Sequence, residues 1–281
     1  MAGLRISAIS YLNTAPLMWD FEHGGAGRGF QLEYTLPSAC AAALAANQAD
    51  IGIIPAFAYA EIPGLVILPN IAIASKDRVR SILLVSKKPL DDIQTVATDS
   101  SSRTSVALLQ VLFTKFLGGR RQLTPHAPVL QPMLLENDAA LLIGDAALQV
   151  PIDSGYHVYD LAHEWHEFTG KPFVFAFWAM RFDALDRQPR GLDLAEVFQL
   201  SRNHGLQPEN IATIAEEWAP KLTLSVNDIR TYLTENIHYY LDRENHAGLQ
   251  LFLQYSQEIG LIPAVPELRF LGPVAFGSAR K

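Results

Sequence analysis

The sequence predicts a two-lobed α/β protein, and three observations carry that expectation. Strand-like and helix-like runs alternate through the first half of the chain, as in parallel α/β layers. A fresh strand-helix cycle starts after the polar Ser86-Lys87-Lys88-Pro89 break, and beyond Leu192 the pattern turns helical to about Gly260. At 281 residues the chain exceeds one small core. Lobe I is expected over 1–88 and 183–281 and lobe II over 89–182, with crossings near 86–89 and 180–184. Two crossings leave a cleft in which a ligand sits and on which the lobes close.

The elements follow in chain order. Residues 4–9 read as a strand and 14–21 as a short helix, with Pro16 tolerated in its first turn. The glycine-rich 23–29 is a loop, 30–35 alternates like a strand, and Ser38 is the expected cap of an alanine-rich helix reaching Asn47. Residues 50–54 form a short buried strand, followed by strands over 66–73 and 81–85. The second cycle has a strand at 95–98, a helix over 103–117 and a polar loop over 118–128. Strands at 129–131 and 139–143 and a helix from Asp145 complete it. The run Phe173-Val174-Phe175-Ala176-Phe177-Trp178-Ala179 reads as a strand buried on both faces. In the helical return, Asn203 and Ser225 are candidate caps and Pro208 marks a helix start.

Composition narrows the function classes. Hydrophobic residues make up 49% of the chain and charged ones 18%, as in a folded globular protein. A net charge of −7 argues against nucleic acid or an anionic membrane as partner, so an anionic ligand has to be held by local groups. The single cysteine, Cys40, excludes an internal disulfide and reads as a small residue on a packed face. The first 17 residues lack a signal peptide's long apolar core, and no stretch is apolar enough for a membrane span. A soluble intracellular protein, monomer or homodimer, is the expectation.

The candidate chemistry lies in strand-to-helix turns. Asp99-Ser100-Ser101-Ser102-Arg103-Thr104-Ser105 crowds five hydroxyls and a guanidinium at a helix start, where unpaired N–H groups and the macrodipole favour an anion. A cap needs one such hydroxyl, and the rest are donors for a carboxylate or phosphate. Asn13, just after the first strand, either caps the next helix or holds a substrate hydroxyl or carboxylate. Arg80 and Ser81 open a strand and are either surface groups or carboxylate ligands in the cleft. Gly144 permits close backbone approach, and Asp145 is placed at an N-cap, as cap or as proton-accepting carboxylate. His163 and His166 are three apart where a zincin pattern needs four, so a helix with Trp165 packed inward is expected and no metal site. The Gly24-Gly25-Ala26-Gly27-Arg28-Gly29 loop fits neither phosphate-binding glycine motif, and no G-x-S-x-G elbow occurs.

Taken together, the motifs at 10–17, 50–55, 79–81, 99–105, 138–148 and 164–178 resemble the chorismate dehydratase family of futalosine-route menaquinone biosynthesis. The blocks D-S-S-S-R-T-S, L-L-I-G-D-A-A-L and T-G-K-P-F-V-F-A-F-W carry the likeness. The resemblance implies a type 2 periplasmic-binding-protein-like fold used as a cytoplasmic enzyme without cofactor. It implies conversion of the dianion chorismate to 3-[(1-carboxyvinyl)oxy]benzoate and water. The sister enzyme of the route carries a histidine base where this chain has Gly144, which argues against the sister activity. On this reading Ser102, Arg103, Thr104 and Ser105 hold one carboxylate, and Ser81 with Arg80 the other. Asn13 meets the leaving hydroxyl or positions the side-chain carboxylate, and the base is Asp145 or the substrate's own enolpyruvyl carboxylate. The rivals are a solute-binding protein of the same fold, which normally has a secretion signal or anchor, and a ligand-sensing regulator, which normally has a DNA-binding helix.

Overall fold

The computed structural model describes residues 3–151, 155–189 and 191–272; the tail from 273, expected in lobe I, lies outside the described residues. Strands β1 (Leu4–Ile9), β2 (Phe30–Thr35), β3 (Ile51–Pro55), β4 (Leu65–Ser75), β5 (Ile82–Ser86), β6 (Thr95–Asp99), β7 (Gln122–His126), β8 (Ala139–Ile143), β9 (His157–Asp160) and β10 (Phe173–Arg181) form two five-stranded sheets. The first has the order β2-β1-β3-β10-β4 and the second β7-β6-β8-β5-β9. The helices of the first two-thirds of the chain are α1 (Ala15–Glu22), α2 (Pro37–Ala45), α3 (Thr104–Phe116), α4 (Leu130–Glu136), α5 (Gly144–Leu148) and α6 (Leu161–Thr169). The helical return is α7 (Leu194–Gly205), α8 (Pro208–Leu222), α9 (Val226–Thr231) and α10 (Arg243–Glu258). This is the two-sheet α/β architecture the sequence predicts.

The chain changes sheet at other points than expected. β5 already belongs to the second sheet, antiparallel to β8 and β9, and β10 belongs to the first, antiparallel to β3 and β4. The crossings therefore run through 76–81 and through α6 into 170–172, not through 86–89 and 180–184. Both strands are apolar on nearly every residue, a pattern that reports burial without saying in which sheet. Each sheet is mixed rather than parallel, because a strand arriving from the other lobe needs no crossover helix.

Smaller differences have local causes. The polar 122–126 segment is edge strand β7, paired with β6 alone, a place where Pro125 is tolerated. The expected strand at 129–131 is instead the start of α4, which buries Met133 and Leu134. Ser38 does not cap α2, whose N-cap is Leu36, and Asn203 lies within α7. Ser225 does cap α9, accepting from the Asp228 N–H at 3.0 Å, and Pro208 opens α8. Trp165 is fully buried.

The helical return docks on the first sheet. The Ser201 hydroxyl accepts from the Asp20 N–H at 3.0 Å and donates to the Leu17 carbonyl at 2.8 Å, tying α7 to α1. After α9 the chain makes a five-residue π-turn, Tyr232–Asn236. It then runs beside β4, where the N–H groups of Ala72 and Ala74 donate to the carbonyls of Tyr239 and His238. Among the described residues no helix is long and apolar enough to cross a membrane.

Candidate active site

A cavity opens between the two sheets at the ends of their strands. Its walls from the first sheet and following turns include Ile9, Tyr11, Asn13, Pro55 and Ile73, with Phe175 and Ala176 from β10. The second sheet contributes Ile82, Ile143, Gly144 and the turn residues Ser102, Arg103, Thr104 and Ser105. Six of the nine candidate residues thus line one cavity. Apolar residues make most of the walls, and the N-terminus of the thirteen-residue α3, where backbone N–H groups lack helical partners, lies at the cavity.

The hydroxyl-rich turn has more than one task. Asp99, at the end of β6, accepts from the Ser101 N–H at 2.8 Å and its hydroxyl at 2.7 Å, which shapes the turn. Thr104 Oγ1 accepts from the Phe57 N–H at 3.1 Å, so this side chain joins the first sheet's 56–60 turn to α3. The Arg103 guanidinium pairs with Glu61 at the exposed rim. The turn is therefore both a cavity wall and a clamp between the sheets.

Gly144 and Asp145 fasten the opposite wall. Gly144 has φ +56°, and a Cβ there would lie 2.7 Å from the Tyr11 ring, so glycine lets that ring lie flat on the backbone. The Tyr11 hydroxyl reaches the Ser101 hydroxyl at 3.4 Å. Asp145 is not an N-cap: Ile143 holds that place, and the Asp145 carboxylate crosses to the first sheet, accepting from the Leu12 N–H at 3.1 Å. Burial pushes its pKa up to about 6, opposed by that hydrogen bond. Asp145 thus holds the Leu12–Thr14 turn that carries Asn13.

Ser81 and Arg80 part company. Ser81 is buried, its carbonyl accepts from the Gly144 N–H at 2.8 Å, and its Oγ has no hydrogen-bond partner. Arg80 has φ +62° and lines a different cavity with Arg78, Val150 and Val158. Its N–H and that of Val79 donate to Asp160 Oδ2 at 2.7 and 2.9 Å, while Asp160 Oδ1 caps α6. Arg80 is therefore absent from the lining of the cavity that holds the 102–105 turn, and its backbone, in the left-handed region, is held by Asp160.

The sequence profile of the menaquinone biosynthesis family matches residues 4–258. The chain belongs to this family. A relative in Thermus thermophilus, named chorismate dehydratase, is 28% identical over 261 residues, covering 87% of this chain and 92% of its own length. Another of that name, from Campylobacter jejuni, is 26% identical, covering 68% and 69%. Among solved structures, an Archaeoglobus fulgidus protein superposes with a TM-score of 0.71 at 19% identity, covering 92% of this chain and 98% of its own. The periplasmic aliphatic sulphonate binding protein SsuA of Escherichia coli gives 0.68 at 15%, covering 100% and 96%. These likenesses show the periplasmic-binding-protein fold for this member of the menaquinone biosynthesis family.

Several residues that build the site in this family member escape sequence reasoning. Tyr11 stood in plain view beside Asn13 but carries no motif of its own. Phe57 and Glu61 meet Thr104 and Arg103 only through the fold. Asp160 had a readable signal, an N-cap position ahead of an amphipathic helix, but its grip on 79–80 did not.

Proposed function

We propose that this protein is a chorismate dehydratase, a carbon–oxygen lyase converting chorismate to 3-[(1-carboxyvinyl)oxy]benzoate and water in the futalosine route, in the cytoplasm. The observation that carries the reading is the cavity itself: an apolar slot with a hydroxyl-lined helix N-terminus at one wall and Asn13 at the other. Such a slot suits a small ring bearing two carboxylates and a hydroxyl. The relatives' names and the family's pathway point the same way.

The reaction removes a ring proton from the carbon bearing the ether and hydroxide from the neighbouring carbon. The electrons of the broken C–H bond enter the ring, which becomes aromatic, and proton and hydroxide leave together as water. The protein has to hold two carboxylates, exclude bulk water and stabilise the departing hydroxyl. In the proposed assignment the 102–105 turn holds one carboxylate through Ser102, Ser105 and backbone N–H groups. Ser81 and Asn13 face the leaving hydroxyl and the second carboxylate. Asp145 is engaged with the Leu12 N–H and is not among the cavity-lining residues, which leaves the substrate's enolpyruvyl carboxylate as base. A base within the substrate has the advantage of proximity.

Purified protein incubated with chorismate and followed in the ultraviolet tests the reading. A new benzoate spectrum with loss of the diene is the expected result. Binding without an aromatic product would favour a solute-binding role instead. Asp145→Asn is expected to keep kcat within about tenfold, because the amide oxygen still accepts from Leu12. A fall of several orders of magnitude in a folded variant would make Asp145 the base.

A further inference from the structure

The π-turn at Tyr232–Asn236 lies far from every sequence motif, yet it is docked against the site. A π-turn adds a residue to the helical repeat and is rare, occurring frequently at functional sites. Here the Asn236 carboxamide donates to the Arg78 carbonyl at 3.3 Å, which sets the turn on the crossing that ends in Ser81. Tyr232, the turn's first residue, is 2% exposed. Its hydroxyl approaches both the Ser81 hydroxyl and the Asn13 carboxamide. The Ser81 Oγ is itself buried and has no hydrogen-bond partner in the resting protein. A buried serine hydroxyl left without a partner is costly in a purely structural setting, and here it sits between Tyr232 and the cavity wall at Gly144.

We infer that Tyr232 is a positioning residue for the elimination, its hydroxyl orienting the Ser81 hydroxyl and the Asn13 carboxamide towards the substrate from behind the cavity wall. The inference rests on the functional reading above. A neutral phenol suits the task, because it donates to one partner and accepts from the other. Burial holds the Tyr232 phenol well above its ordinary pKa, so it stays neutral. Tyr232 does not line the cavity, so it acts through its two neighbours rather than on substrate.

Tyr232→Phe keeps the ring and removes the hydroxyl. The expected result is a kcat reduced about tenfold or more, with KM changed less than about threefold and an unaltered melting temperature. In a double-mutant cycle, adding Tyr232→Phe to Ser81→Ala is expected to cost little beyond Ser81→Ala alone. Site-specific 3-fluorotyrosine at 232, which retains the hydroxyl, is expected to restore most of kcat and covers the case in which the phenylalanine variant folds poorly. Wild-type kcat in Tyr232→Phe, or losses that multiply in the cycle, would overturn the inference. The wild-type turnover decides the parent reading separately. Should wild type leave chorismate unchanged, crystal structures of wild type and Tyr232→Phe decide this one, and identical Ser81 and Asn13 orientations in the two would overturn it.

Discussion

Two buried polar regions of this molecule are built on opposite principles. At Asp50 a fully buried carboxylate is saturated: it accepts from the Arg5 N–H at 2.9 Å, from Arg5 Nη2 at 2.7 Å and from Arg187 Nη2 at 2.5 Å. Burial alone would raise its pKa, yet the Arg5 and Arg187 hydrogen bonds leave it lowered. Around the cavity the reverse holds. Ser81 Oγ and Asp99 Oδ2 are buried without partners, and Asp145 has one hydrogen bond and a pKa raised to about 6. A saturated cluster fixes the fold, whereas groups left short of partners lie directly behind the cavity-lining residues Gly144, Ser102 and Asn13.

The sharpest way to break this contrast is to empty the saturated region. Asp50→Ala removes the hydrogen bonds from the Arg5 N–H and two guanidinium groups, and because both guanidinium groups are partly solvated the expected cost is about 1–3 kcal/mol. Denaturant unfolding is expected to show a loss of that size. The kcat of the protein that remains folded is expected to stay near wild type, since Asp50 lies away from the cavity lining. A large kcat loss at unchanged stability would show that the two regions are not separate.

Gly144→Ala attacks the other region. Alanine at φ +56° costs roughly 1–2 kcal/mol, and its Cβ displaces the Tyr11 ring. The displaced ring has the cavity to move into, so KM is expected to rise about tenfold, equivalent to about 1.4 kcal/mol of binding. Unfolding and steady-state kinetics on one preparation separate the two costs. An unchanged KM would mean that Tyr11 does not shape the substrate space.

What was legible in the sequence follows the same division. Strands such as β3 and β10 announce themselves by continuous apolar runs, and the hydroxyl turn by an excess over capping needs. The sheet to which β5 and β10 belong was not legible, because burial on both faces is one pattern whichever neighbours supply it. Nor were the partners of site residues legible. Leu12 with Asp145 and Phe57 with Thr104 are far apart in the chain, and their pairing is a product of the crossings. The place of Arg80 was not legible for a related reason: its residue type suits an anion, but it lines another cavity, with its N–H and that of Val79 held by the distant Asp160.

Asp145 gives a pH test of the contrast. Its folded pKa of about 6 lies above the ordinary carboxylate value, so the folded state holds a proton that the unfolded state releases. Its contribution to stability is therefore favourable at low pH and is lost as pH rises from about 4 to about 6. Asp145→Asn cannot ionise, so its stability relative to wild type is expected to grow across that window, by up to about 2 kcal/mol once part exposure is discounted. Melting curves of both proteins at pH 4 and pH 7 check this. A difference that does not change with pH would place Asp145 among the satisfied groups.

The smallest expected effect sits at the rim, where Arg103 pairs with Glu61. Both side chains are more than a third exposed, and such pairs contribute about 0–1 kcal/mol. Glu61→Gln is therefore expected to leave the melting temperature almost unchanged. Its kinetic consequence separates two uses of Arg103. As a rim clamp alone, Arg103 loses its partner in Glu61→Gln, and Arg103→Ala then has the same mild effect. As a ligand for a substrate carboxylate that competes with Glu61, Arg103 is freed by Glu61→Gln, so KM falls or holds, whereas Arg103→Ala raises KM about tenfold. The position of Arg103 on the cavity lining favours the second outcome. Equal KM values in the two variants would assign the guanidinium to the rim and leave the carboxylate to the hydroxyls and N–H groups of α3.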